Sequence, residues 1–208
     1  MRIYTKLLAL LIVALTFSIA AATASANRLS VSEEDFEVIW PEANDLNFTA
    51  GGNTVECSVT LLGSFHRRTI QKIIRSLIGT VAHAVVGDCD NGTAVIDGRP
   101  PWHLTYEGFR GTLPNITGVR LLLRNYRFTI NHTASGAICL TNAGRNAAGT
   151  AIVGASGLIT GLTAERVPPT DMDDVGASFL CDLAGSGAFE GTGIVTDLDG
   201  SLITIRLI

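Results

Sequence analysis

Charge is scarce in this 208-residue chain: Asp, Glu, Lys and Arg together make up 16%. Lysine is confined to Lys6 and Lys72, aromatic residues to 6%, and there are only four cysteines and six prolines. So few charges beside a 47% apolar share exclude an intrinsically disordered chain, which carries the reverse balance. A formal net charge of -4 argues against a general nucleic-acid binder, whose surface is basic. The length suits one domain with a substantial core.

Several catalytic and metal-binding patterns are also missing. No two cysteines stand at C-x2-4-C spacing, which argues against a structural zinc site. His66, His83, His103 and His132 include no pair at i, i+3 or i+4. Asp171, Asp173, Asp174 and Asp182 do not make an EF-hand, which needs an oxygen ligand where Val175 stands at position five and a bidentate glutamate at position twelve. Asp197 and Asp199 before Gly200 read as a hairpin turn. Neither Gly154–Leu158 nor Gly185–Gly187 fits G-x-S-x-G. There is no phosphate-cradling loop or dinucleotide fingerprint, so no cofactor is expected. Beyond residue 26 no run of 18 apolar residues occurs, and no membrane-spanning helix is expected there.

The first 26 residues carry a pattern of their own. Arg2 and Lys6 precede the apolar run Leu7–Leu15, and Ala24-Ser25-Ala26 follows. A basic start, an apolar middle and a small-residue end form a secretory signal peptide. Cleavage after Ala26 leaves one exported domain over 27–208. Four cysteines on a secretory route point to two disulfides. Cys57–Cys89 with Cys139–Cys181 is the favoured pairing, because each bond then stays within one half of the chain. Four N-x-T sequons begin at Asn47, Asn91, Asn115 and Asn131; in a bacterial protein they read as turn chemistry.

Along the chain, apolar residues alternate in several short segments. Phe36–Trp40 reads as a strand ended by Pro41. Val55, Cys57, Val59 and Leu61 share one face of a strand over Thr54–Leu62. Trp102, Leu104 and Tyr106 mark another. The phase of alternation switches near Arg124-Asn125, between Val119/Leu121/Leu123 and Tyr126/Phe128/Ile130, and predicts a bulge or bend. Asp90-Asn91-Gly92 is a hairpin signal. Ile70, Ile73, Ile74, Leu77 and Ile78 instead recur at helical spacing, with Arg68, Lys72 and Arg75 opposite. This predicts an amphipathic α-helix over Ser64–Ile78. The C-terminal third is a series of short apolar runs broken by glycine. The predicted fold is mainly β: an antiparallel β-sandwich or β-barrel with one packed amphipathic α-helix.

Over 27–208 charge is distributed in blocks, acidic over 27–61 and 133–208 and basic over 62–132. Three functional readings follow. The first is a non-enzymatic exported module that binds a ligand or belongs to the envelope surface. The second is a barrel enzyme, or carrier, for a small or lipid-like ligand. Its pocket would draw on His103, Glu107 and Tyr106. In the third, Arg68, Lys72 and Arg75 hold the protein to an anionic membrane or cell-wall polymer.

Three stretches support a resemblance. They are Phe48-Thr49-Ala50-Gly51 leading into Thr54–Phe65, then Pro101–Tyr106, then Gly111–Thr117. In these the chain resembles a group of uncharacterised secreted actinobacterial proteins. The resemblance implies a bacterial, exported protein and carries no functional residue with it.

Overall fold

A computed structural model describes residues 28–50, 53–96, 100–113, 115–134, 137–142, 147–154, 157–164 and 188–208. The described chain is all β. Its strands are β1 (Arg28–Val31), β2 (Asp35–Trp40), β3 (Leu46–Ala50), β4 (Asn53–Phe65), β5 (Thr69–Gln71), β6 (Leu77–Asp90), β7 (Gly92–Ile96) and β8 (Trp102–Thr112). They continue as β9 (Asn115–Arg124), β10 (Arg127–His132), β11 (Ala137–Asn142), β12 (Ala147–Val153), β13 (Ile159–Ala164), β14 (Ala188–Thr196) and β15 (Ile205–Leu207).

Eight of these strands close a ring. Around it the order is β2, β4, β6, β8, β9, β12, β13, β14 and back to β2, every neighbour antiparallel. That is chain order, so the fold is an up-and-down barrel. Closure removes the sheet edges that an open sandwich would leave. β3 runs in the same direction as β2 along the same two neighbours, β4 and β14. The two are one wall strand, broken after Pro41 by a 3-10 turn over Glu42–Asn44.

Alternation puts one face of each strand inside. In β4, Val55, Cys57, Val59, Leu61 and Phe65 are all buried, as is Gly63, while Glu56, Ser58, Thr60, Leu62 and Ser64 are only half-buried. Register shifts interrupt β6 against β4 and β8 against β9. Such bulges add the local twist that a closed sheet needs.

Two smaller sheets extend the barrel. β15-β1-β5 joins it through Phe65 N–H to Glu34 O (2.8 Å) and Ile159 N–H to Ile203 O (2.8 Å). It brings Leu29, Ile70, Ile203 and Ile205 into the common core. β11-β10-β7 brings Tyr126, Phe128 and Ile130. Asn125, at φ 66°, makes the bend between β9 and β10 where the alternation changes phase.

The structure overturns the packed helix. No α-helix occurs among the described residues, and Ser64–Ile78 divides into the end of β4, β5, a turn and the start of β6. Ile70 pairs in register with Leu29 and is buried, as is Ile78. Ile73 and Ile74 are 59% and 64% exposed. The helical spacing was therefore a coincidence of two inward strand residues and a turn. β-branched isoleucine favours strands, and pairing of β5 with β1 supplies the backbone bonds a helix would have made. Asp90-Asn91-Gly92 also differs from expectation. Asn91 takes the positive φ of 63°, but the turn makes a corner, since β7 pairs with β10 rather than β6. Thr196 and Leu202 do bridge across the predicted Asp197–Ser201 turn.

Candidate functional site

The inward faces of the eight strands do not meet at the centre. A cavity is lined by Val38 of β2, Leu61 of β4, Val81 of β6, Leu104 of β8, Leu121 of β9, Ala151 of β12, Ile159 of β13 and Val195 of β14. With a wall from every barrel strand, it lies in the lumen. A second cavity adjoins it and shares Leu61, Leu123, Gly149 and Leu162. Trp40, Trp102, Tyr126 and Phe128 complete its wall. Each offers a volume of about 70 Å³ to the centre of a water-sized sphere, several times the roughly 10–15 Å³ that one water needs.

Glycines explain part of this space. Gly63 is paired with Phe36 across β2 and β4, and Phe36 Cζ lies 2.5 Å from where a Gly63 Cβ would stand. The ring thus lies along the wall. Trp40 does the same over Gly193, its ring carbons 2.9 Å from the missing Cβ. Gly149 borders both cavities; a Cβ there would come 3.2 Å from Leu162 Cδ1.

The two cavities differ in lining. The first is walled by aliphatic side chains together with Phe36 and Phe65. The second meets an aromatic cluster in which Phe128 packs 5.5 Å from both Phe48 and Trp102 and 6.0 Å from Tyr126, between ring centroids. These tilted and edge-on contacts stiffen the wall. Among the described residues no carboxylate, imidazole or amine lines either cavity.

The residues singled out from the sequence fall elsewhere. Tyr106 is buried, and burial raises its hydroxyl above the ordinary tyrosine value. His103 occupies the other face of β8, with Nδ1 3.2 Å from Asn125 Nδ2. Glu107 is the extra residue of a bulge, since Tyr106 faces Leu121 and Gly108 faces Arg120. Its Oε1 is buried with no partner among the described residues. The strand therefore does not bring the three into one pocket. Arg68, Lys72 and Arg75 do not share a helix face, because no α-helix forms there. Arg68 pairs with Glu33 at 2.9 Å, Lys72 Nζ lies 5.7 Å from the centre of the Phe109 ring, and Arg75 sits in the turn before β6.

Cys57 and Cys89, paired across β4 and β6, form a disulfide. The second expected pair lies outside the described residues, because Cys181 is not among them. The Asp171–Asp182 segment lies outside them too. Among the described residues no cluster of three His, Cys, Asp or Glu is placed to hold a metal ion, and no helix is long and apolar enough to cross a membrane.

The lumen residues Leu61, Leu121 and Leu123 carried a signal in the sequence, namely alternation. That signal marks the inward face and says nothing of whether the interior is full. No protein-family model, curated protein or solved structure matches this chain.

Proposed function

We propose that the protein is an exported, non-enzymatic carrier that holds one small apolar molecule in its barrel lumen. The observation that carries this reading is the hydrocarbon-lined space bordered by all eight strands. An eight-stranded barrel is wide enough for its side chains to fill it or for it to hold one small ligand. An apolar cavity stays dry and favours apolar guests of about benzene size. The two adjoining volumes suit one aromatic ring with a short alkyl chain. Catalysis of the usual acid–base kind requires titratable groups at the ligand, and among the described residues the Tyr126 phenol is the one such group bordering this space. The leader sequence and the cross-strand disulfide favour an oxidising, extracellular setting.

The test uses the mature, disulfide-intact protein with indole, naphthalene and n-decanol. Saturable one-to-one binding is expected, and ligand at 100 times its Kd stabilises by about 2.7 kcal/mol. Ala151→Phe places a ring in the lumen and is expected to abolish binding while the barrel still folds. No thermal shift with any of the three, or equal binding by the filled variant, refutes the carrier.

A further inference from the structure

The turn between β5 and β6 is built against the usual chemistry of turns. Turn tips are normally polar or glycine-rich, yet this one presents Ile73 and Ile74 at 59% and 64% exposure, followed by Leu77 at 46%. Its shape is well anchored. Ser76 N–H donates to Ile73 O at 3.0 Å, closing the turn, and Arg75 N–H donates to Tyr106 O at 2.7 Å. Tyr106 N–H returns a bond to Ser76 O at 3.0 Å. Arg75 takes a φ of 66°, a left-handed conformation unfavourable for a residue with a side chain. The two isoleucines are thus held outward by backbone bonds to β8.

Two cations, Lys72 and Arg75, flank the isoleucine pair in the chain. Arg75 is exposed, and Lys72 is half-buried above the Phe109 ring. The segment from His66 to Ser76 contains Arg67, Arg68, Lys72 and Arg75 and no acidic residue. Apolar side chains flanked by cations match the boundary of an anionic bilayer, where hydrocarbon lies beneath negative headgroups. A turn that simply faced water would gain nothing from adjacent isoleucines in this position.

We propose that the Lys72–Leu77 turn is a docking tip for an anionic phospholipid surface, with Ile73, Ile74 and Leu77 entering the headgroup boundary and Lys72 and Arg75 meeting the phosphates. This stands apart from the lumen reading and uses none of the lumen residues.

Vesicle sedimentation of the mature protein tests it, with phosphatidylcholine alone and with phosphatidylcholine containing phosphatidylglycerol at seven to three. Binding is expected to the mixed vesicles and to weaken with added salt. Ile73→Ser with Ile74→Ser, both at exposed positions, is expected to reduce partitioning at least about tenfold. Lys72→Gln with Arg75→Gln is expected to remove the preference for the anionic lipid. Ile74→Trp provides a second readout, a blue-shifted emission on adding mixed vesicles. Circular dichroism and an unchanged thermal melt show that each variant is folded. The proposal is overturned if the wild type stays in the supernatant, or if the double-serine variant pellets equally well. A concentration-dependent dimer that the serine variant abolishes, without vesicle binding, assigns the tip to a second copy and also overturns it.

Discussion

Gly63 faces Phe36 across β2 and β4, and the Phe36 ring stands where a Cβ would have to go. The same Cβ would lie 2.5 Å from Thr80 O, a backbone atom with little freedom to yield. Gly63→Ala is therefore expected to destabilise the barrel by about 2–3 kcal/mol, measured by denaturant unfolding. Asp45 is the titrating residue to watch. Burial first, then Asp90, Glu56 and Glu42, raise its carboxyl above the ordinary 3.8, and Oδ1 is buried with no partner among the described residues. The fold thus favours the protonated form. Its stabilising effect is complete below the ordinary value and is lost as pH rises through the raised one. Asp45→Asn is expected to raise Tm at pH 7 by about 1–2 °C and to lose that advantage near pH 3; thermal melts at the two pH values check it. Neither residue was legible in advance. A glycine between apolar neighbours resembles any strand glycine, and Asp45 meets Asp90 and Glu56 only after folding.

The elements were legible where one periodicity acts alone. Val55, Cys57, Val59 and Leu61 alternate without interruption, and β4 extends from Asn53 to Phe65 around them. Trp102, Leu104 and Tyr106 mark β8 in the same way, and the phase change at Asn125 falls on a positive-φ bend. Ser64–Ile78 misled because a short segment can satisfy the helical period by accident. Its inward residues Ile70 and Ile78 belong to different strands, and the intervening turn depends on hydrogen bonds to β8, far along the chain. Between β4 and β6 the Cys57–Cys89 bond adds a covalent tie to the pairing. Replacing both cysteines by alanine is expected to remove about 2–4 kcal/mol, which corresponds to roughly 5–15 °C in Tm. Calorimetry of the double variant measures it, and a melt as high as that of the wild type refutes the stabilising role.

At the scale of the whole molecule, the barrel closes through a short described seam. Three residue pairs join β13 to β14, and three each join β14 to β2 and to β3, against nine between β4 and β6. Local opening follows the least-bonded region, so the amides of β14 are expected to exchange with deuterium well before those of β4. Bound apolar ligand is expected to slow that exchange, and equal protection across both strands refutes the uneven seam. The amino-acid sequence by itself determined an alternating, glycine-punctuated β protein, the inward face of its cleanly alternating strands, and a cysteine pair suited to a disulfide. These follow from local periodicity and composition. Tertiary structure alone decided that the sheet closes, that Ser64–Ile78 serves as strand and turn, and that the inward side chains leave a space. Closure and lumen width depend on the number and register of strands that meet across the fold, and distances between remote segments leave no period in the chain.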